Sequence, residues 1–182
     1  MVNKTTSSSI FEEISKLDET SFPPVHLWNP PLCKNVDIRI DREGRWFFMN
    51  SPIGRQRMVN LFSRVLRYDD DGFYYLVTPV EKIKLEVEDK PFLIVDYNLS
   101  GNGNKQMVTF ITNTNEEFLL SSNHPMRLVI DEKTEEPSPY VLVRSNLEGL
   151  ISRNIFYKLV DIAMKNKSDL GIWSDGIFFR IG

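Results

Sequence analysis

Alternating apolar and polar residues along the chain predict short, half-buried strands. In the segment 81–88, Ile83, Leu85 and Val87 alternate with polar residues, which is the period of two expected of a strand with one buried face. The same period runs through 36–40. Further strands are predicted over 46–49, 73–79, 92–98, 105–113, 117–121, 126–131, 139–144, 172–173 and 177–181.

Two segments carry the three-to-four-residue spacing of apolar residues that is typical of amphipathic helices. One is 52–67, where Pro52 suits the first helical position, and the other is 150–165. The pattern over 36–88 is therefore β-β-α-β-β. Its mixture with the β-rich stretch that follows predicts an α+β fold of two related β-rich sub-domains, each with one main helix.

Composition changes along the chain divide it into three parts. Residues 1–20 form a polar segment with a short helix over 10–17. A first α+β sub-domain covers 21–88, and the charged, proline-containing turn that follows it marks a boundary. The second sub-domain, 89–182, is β-rich and ends in a helix and a hairpin.

One pattern occurs twice in the chain. An Ile-x-Arg sequence opens each helical segment, at 53–55 and 151–153, and an Asp-Gly turn precedes an aromatic strand, at 71–72 and 175–176. We interpret this as a duplicated unit, although strand-helix-strand segments share such features without common origin. A duplication predicts two sub-domains and an interface between them, where ligands often bind.

Charge and cysteine content limit the classes of function. The 182 residues carry a net charge of −3 and a pI of about 5.5, which argues against direct nucleic-acid binding. Cys33 is the only cysteine, which fits a reducing compartment. No apolar run approaches the roughly 18 residues of a membrane span, and the first residues do not resemble a signal peptide. We therefore expect a cytoplasmic protein without membrane contact.

Arg55 and Arg153 are the first candidate ligand-binding residues. Each falls in the first turn of a predicted helix, where the positive end of the helix dipole disfavours a cation, so a negative group is expected nearby. That group is an anionic ligand, such as a phosphate or carboxylate, or a carboxylate of the protein, for which Glu81 and Glu148 are available. The third alternative is that the arginines are simply solvated.

Four further residues complete the candidate site. Thr78 and Glu81 offer a hydroxyl and a carboxylate at a strand end, unless they only shape a strand kinked at Pro79. Tyr75 and Trp173 provide rings for stacking on a ligand, whereas the alternative for Trp173 is a place in the core.

No local pattern predicts catalysis, a metal or a cofactor. His26 and His124 are the only histidines, and no cysteine–histidine spacing matches a zinc site. Cys33 lies in an ordinary segment before a strand, so we expect an inert thiol. An enzyme would need a site assembled from residues scattered along the sequence.

Several segments together resemble a bacterial family, the domain of unknown function numbered 1285. They are Pro24 to Pro30, Asp37 to Trp46, Ser51 to Arg55, Asp71 to Lys82 and Leu170 to Phe179. The resemblance covers about 21–182. It implies a duplicated α+β architecture, a C-terminal half superficially like a pleckstrin-homology fold, and a nucleotide-like ligand between the halves with a role in signal transduction. It implies no catalytic residues.

These observations lead to three hypotheses. The first is a cytoplasmic ligand-sensing or regulatory protein that binds a small anionic, nucleotide-like ligand at the interface of its sub-domains. The second is a protein–protein interaction module without a small ligand. The third is an enzyme with its site at that interface.

Overall fold

The structure is a computed structural model that describes residues 12–16, 21–166 and 169–182. The chain divides into two compact units, Met1–Asp89 and Lys90–Gly182, called here the first and second halves. Of the helix predicted over 10–17, residues 12–15 are helical, while 10, 11 and 17 lie outside the described residues.

The first half is a six-stranded sheet with one helix. Its elements are β1 (Leu32–Ile40), β2 (Trp46–Phe48), β3 (Ser51–Pro52), α1 (Gln56–Arg64), β4 (Leu66–Tyr68), β5 (Tyr74–Val77) and β6 (Lys82–Val87), preceded by a 3-10 turn at Val25–Leu27. The strand order is β3-β2-β1-β6-β5-β4. β1 and β6 are parallel and every other pair is antiparallel, so two three-stranded meanders meet at one parallel pair.

The second half contains a second six-stranded sheet, one helix and a small sheet. Its elements are β7 (Phe92–Ser100), a 3-10 turn (Gly103–Lys105), β8 (Met107–Thr112), β9 (Glu117–Leu119), β10 (Met126–Ile130), β11 (Pro137–Arg144), β12 (Leu147–Ile151), α2 (Arg153–Asp161), β13 (Met164–Asn166), β14 (Asp169–Ser174) and β15 (Ile177–Arg180). The large sheet has the order β10-β11-β12-β7-β8-β9, and the small one β13-β14-β15. Here the parallel pair is β7 with β12.

Both large sheets have the same strand order, which confirms the duplicated α+β architecture. β1 to β6 correspond in order to β7 to β12. The helices, however, occupy different places: α1 joins the third and fourth strands of its half, whereas α2 follows the sixth. The segments that carry the repeated sequence pattern, 53–72 and 151–176, are therefore not equivalent in the strand order. The superficial likeness of the second half to a pleckstrin-homology fold stays a prediction.

Both helices were predicted too long, because residues at their ends form short strands that pair with the sheets. Ser51–Pro52 pairs with β2, so the helix predicted over 52–67 begins only at Gln56. Leu66–Tyr68 pairs with β5, which ends α1 at Arg64.

The helix predicted over 150–165 is shortened in the same way. Leu147–Ile151 pairs with β7 and β11, and Met164–Asn166 pairs with β14. The apolar spacing alone did not distinguish these short strands from additional helical turns.

Each half has its own apolar core. In the first half, Val59 and Phe62, three residues apart on α1, are buried, and the Phe62 ring lies 6.1 Å from that of Trp46. In the second half, α2 buries Ile155, Phe156 and Leu159.

A buried hydroxyl connects the small sheet to the large sheet of the second half. Ser174 Oγ donates to the carbonyl of Leu120 at 2.6 Å and accepts from the N–H of Val108 at 3.0 Å. Since both backbone groups are shielded from water, these hydrogen bonds hold β14 in place.

Candidate functional site

Arg55 is the N-cap residue of α1 rather than a residue of its first turn. Its backbone is extended (φ −94°, ψ 106°), and its carbonyl accepts the N–H of Met58 at 2.9 Å. The exposed side chain borders a shallow cavity of about 320 Å³ together with Phe48 and Ile53. Arg55 therefore lies at the helix N-terminus, and the anion site predicted there stays a prediction.

Arg153 is the first residue of α2, and its nearest carboxylate was not foreseen. Its Nη2 lies 3.5 Å from Oε2 of Glu136, and the two side chains are 69% and 63% exposed. So exposed an ion pair contributes little stability. Arg55 belongs to the first half and Arg153 to the second. A site shared by the two arginines therefore stays a prediction.

Thr78 is buried and its hydroxyl is committed to a turn. Oγ1 donates to the carbonyl of Glu81 at 3.1 Å and accepts from the N–H groups of Glu81 at 3.2 Å and Val80 at 3.4 Å. This geometry favours the interpretation that Thr78 shapes the strand end at Pro79. Glu81 is half-buried in the same turn.

Thr78 and Arg55 lie at opposite ends of α1. The N–H of Val77, next to Thr78, donates at 2.9 Å to the carbonyl of Val65, which caps the C-terminus of the helix. The nine helical residues Gln56–Arg64 separate Arg55 from Val65, and the corresponding rise is about 15 Å. The structure thus brings Thr78 and Glu81 together and keeps Arg55 away from them.

Tyr75 is 5% exposed, and its polar and aromatic groups are both engaged. Its hydroxyl donates to Oδ2 of Asp71 at 2.7 Å, and this hydrogen bond, together with burial, raises the pKa of Tyr75 to about 12. Lys82 Nζ lies 4.2 Å from the ring centroid. One face of the ring is thus already covered by a cation.

Trp173 lies on β14 and is half-buried. Its ring meets that of Phe178 edge-on at 5.3 Å, and its carbonyl accepts from Nε2 of Gln106 at 2.9 Å. These contacts favour the alternative interpretation, in which Trp173 packs within the second half.

Sequence reasoning missed a polar cluster in the first half, formed by Arg67, Asp69 and Lys82 with Tyr75. Arg67 Nε and Lys82 Nζ lie 2.5 and 3.2 Å from the carboxylate of Asp69. The Arg67 hydrogen bond lowers the pKa of Asp69 against the opposing effect of burial. Arg67 also donates to the carbonyls of the 3-10 turn region, at Val25 and Trp28, and so holds the proline-rich segment on the sheet.

A second cluster of the same composition lies in the second half. Glu148 accepts two hydrogen bonds from Arg127, at 2.7 and 2.8 Å, and pairs with Lys90 at 2.7 Å. Both cations also approach the ring of Tyr140. The Arg127 hydrogen bonds, opposed by burial, lower the pKa of Glu148 to about 2.

The arginine and the tyrosine of each cluster lie on equivalent strands, whereas the acidic residue and the lysine do not. Arg67 faces Tyr75 across β4 and β5, and Arg127 faces Tyr140 across β10 and β11. Had the strand register been known from the sequence, the arginine opposite a tyrosine in both halves would have revealed these clusters.

A cavity of about 540 Å³ opens in the first half where the parallel pair of β1 and β6 is interrupted. Cys33 pairs with Ile83 and Ile38 with Leu85, so four residues of β1 stand opposite the single residue Lys84. This β1–β6 cavity is lined by Asp37, Ile38, Gly72, Phe73, Tyr74, Lys84, Leu85, Glu86 and Val87.

The lining of the β1–β6 cavity combines two aromatic residues, Phe73 and Tyr74, with three charged groups. Phe73 is 44% exposed, and Lys84 Nζ lies 3.0 Å from its ring centroid. Asp37 and Glu86 are exposed, and neither carboxylate has a hydrogen bond or ion pair to any residue that the structure describes. None of these residues was among the predicted site residues.

Over the described residues, no group of three or more histidine, cysteine or acidic side chains is arranged to hold a metal ion. None of the helices described is long and apolar enough to cross a membrane.

Two large sheets of one strand order, each accompanied by a helix, define a duplicated α+β protein. Two family models match it in succession: the "Domain of unknown function (DUF1285), N-terminal domain" over 23–90, and the "Protein of unknown function (DUF1285), C-terminal domain" over 91–181. The chain belongs to the DUF1285 family, in agreement with the resemblance seen in its sequence.

Two solved structures are similar to this chain. A DUF1285 family protein from Silicibacter pomeroyi DSS-3 is 42% identical, with a TM-score of 0.84 over 92% of this chain and 91% of the other. A DUF1285 family protein from Shewanella baltica OS155 is 26% identical, with a TM-score of 0.54 over 72% of this chain and 94% of the other. The search of curated proteins gave no match.

Proposed function

We propose that this protein is a ligand-sensing regulatory protein that binds a small organic molecule in the β1–β6 cavity. The observation that carries the proposal is a cavity of about 540 Å³ at the interruption of a parallel strand pair. This volume lies in the range of small-molecule sites, about 300–1,000 Å³. Strand irregularities also recur next to functional sites, where they redirect side chains.

The lining has the composition expected of a ligand site. Tyr74 and Val87, which are half-buried, contribute apolar surface, while Phe73 presents an exposed ring. Asp37 and Glu86 supply acceptors that would fix the orientation of a ligand. A mostly apolar pocket with a few polar groups is the usual arrangement.

A nucleotide-like ligand fits this proposal through its nucleoside part. Phe73 would stack on a base, and the carboxylates of Asp37 and Glu86 would accept hydrogen bonds from ribose hydroxyls or base amino groups. The Lys84 ammonium, which lies 3.0 Å from the Phe73 ring centroid, would turn aside to admit the base. Arg55 would act only at its own helix N-terminus.

The proposal is tested by a thermal-shift screen of nucleosides, nucleotides and small aromatic molecules of either charge. A ligand that binds the folded state raises the melting temperature as its concentration increases. We expect hits with the native protein that are lost with Asp37→Trp, whose ring would fill the cavity. Lys34→Trp, on the neighbouring part of β1 but outside the lining, is the control and should keep them.

An empty screen would contradict the proposal. Hits that persist in Asp37→Trp would also contradict it, because the ligand would then bind elsewhere. Hits abolished by Arg55→Ala or Arg153→Ala, and not by Asp37→Trp, would move the site to the predicted arginines.

A second candidate function is protein interaction at the outer edge of β10. In an antiparallel pair, every second residue hydrogen-bonds to the partner strand. Pro125 and Asp131 are hydrogen-bonded to the chain of β11, through Leu142 and Glu136. The residues at alternate positions, Met126, Leu128 and Ile130, therefore direct their backbone groups away from β11. Ile130 is 51% exposed, although β15 also approaches β10. An extended peptide would pair with this edge. A bound partner lost with Ile130→Pro, which removes one outward N–H, would support this alternative.

A further inference from the structure

Resting on the proposed function, we infer that the β1–β6 cavity takes an organic cation: an amine attached to an apolar or aromatic body. The cation would be held between the ring of Phe73 and the carboxylates of Asp37 and Glu86. This inference names the charge class of the ligand and differs from the anionic ligand predicted from the two arginines.

The ring of Phe73 already holds a cation of the protein itself. Lys84 Nζ lies 3.0 Å from the ring centroid, on the lining of the cavity. The negative face of an aromatic ring attracts ammonium groups, an attraction that strengthens when the group loses water. A ligand ammonium would occupy this position, and the flexible Lys84 side chain would turn to solvent.

The carboxylates of the lining differ from a neighbouring carboxylate in the contacts that they make within the described part of the chain. Glu88, two residues beyond Glu86, accepts from Arg39 Nη1 at 2.8 Å and from the N–H of Arg42 at 3.1 Å. Asp37 and Glu86 have no such contact among the residues that the structure describes. Their charge is therefore available to a ligand.

Charge balance in the lining also favours a cation. It contains two carboxylates, Asp37 and Glu86, and one ammonium, Lys84, so its sum is negative. Lys84 and Glu86 are two residues apart on β6 and point to the same side of the sheet, about 7 Å from each other along the strand. A bound amine could reach the acceptors and the ring together, whereas an anion would face two like charges.

The experiment compares two probes with the same ring and opposite charge, tryptamine and indole-3-propionate. Dissociation constants are measured by isothermal titration calorimetry at low and high salt. We expect tryptamine to bind about tenfold more tightly, because partly exposed cation–π and carboxylate contacts each add a modest amount. The preference should shrink at high salt, since screening weakens exposed charge pairs.

Two variants locate the effect. Asp37→Asn combined with Glu86→Gln should remove most of the preference and leave the melting temperature without probe unchanged. Glu88→Gln removes a carboxylate one residue beyond β6 that lies outside the lining, and it should keep the preference.

Equal affinities for the two probes, tighter binding of indole-3-propionate, or no binding of tryptamine would each overturn the inference. So would a preference that survives the double substitution. The thermal-shift screen distinguishes these failures from failure of the proposed function. If neutral or anionic molecules bind and Asp37→Trp abolishes their binding, the proposed function is supported and only the inferred charge of the ligand is wrong.

Discussion

The two halves share a strand order but differ at the parallel pair that joins their meanders. In the first half, β1 leaves the ladder between Cys33 and Ile38. In the second, β7 and β12 pair without interruption over three consecutive residues, including Gly149 with Phe92. A Cβ at Gly149 would lie 3.1 Å from the Cβ of Phe92 and 3.2 Å from Cγ2 of Val143. One parallel pair is therefore closely packed, while the other has room for the β1–β6 cavity.

The halves also differ in what completes their cores. In the first half, α1 contributes Phe62 to the core, where this side chain is fully buried. The second half uses α2 and a small sheet, connected through Ser174. The polar clusters around Asp69 and Glu148 are common to both halves. The duplication thus kept the sheet and its cross-strand arginine–tyrosine contacts, whereas the elements around the sheet diverged.

The largest expected effect is loss of the α1 core contact. Phe62→Ala should lower the free energy of unfolding by about 3–5 kcal/mol, because it leaves a cavity beside Trp46. Phe73→Ala is the matched control: its ring is 44% exposed at the β1–β6 cavity, so we expect a loss below about 1 kcal/mol. Urea denaturation measures both. Equal losses would mean that Phe73 supports the fold rather than a ligand.

A branched side chain should distinguish the two parallel pairs. Gly149→Val places new atoms against Phe92 and Val143 and should cost about 3 kcal/mol, the upper end for overpacking a core. Lys84→Val, at the interrupted pair, should change stability by less than about 0.5 kcal/mol. The melting temperatures and urea midpoints test the difference. A tolerated Gly149→Val would show that the β7–β12 pair is no more closely packed than β1–β6.

The smallest expected effect is the pH dependence of the second cluster. The pKa of Glu148 is about 2 instead of its ordinary 4.5, so the carboxylate stabilises the fold above pH 4.5 and this contribution is lost as the pH falls towards 2. After allowance for solvent screening, Glu148→Gln should cost about 1–2 kcal/mol at pH 7.

The measurement is the free energy of unfolding of the native protein and Glu148→Gln from pH 7 down to pH 2. The two curves should converge below pH 4.5. Asp69→Asn tests the equivalent cluster, where the lowered pKa has the same sign. A constant difference between the curves at all pH values would contradict the assignment of the shift to Arg127 and Lys90.

Local sequence signals predicted the parts of the fold that depend on neighbouring residues. The alternation over 81–88 corresponds to β6, and the Asp-Gly turns contain Gly72 and Gly176 at φ +81° and +72°, a conformation that favours glycine. The Ile-x-Arg segments likewise marked where both helices begin within a few residues.

Strand partners were not predictable in this way, because pairing joins residues far apart in sequence. The apolar spacing continues past Arg64 and therefore predicted more helix, whereas Leu66 to Tyr68 pair with β5 as a strand. The duplication itself was visible in the sequence. The segments that were matched to each other are not equivalent, however, because α1 and α2 occupy different positions in the strand order.

The candidate site shows the same division. Exposed Arg55 lies at the start of a helix as its sequence context indicated, while Thr78 and Tyr75 turned out to be engaged within the fold. Asp37, Phe73 and Glu86 meet only because β1, β5 and β6 lie side by side. The sequence by itself determined the longer strands, the turns and the two related halves, since these depend on local periodicity. The register, the interruption of β1 and the cavity depend on long-range pairing, which only the tertiary structure decided.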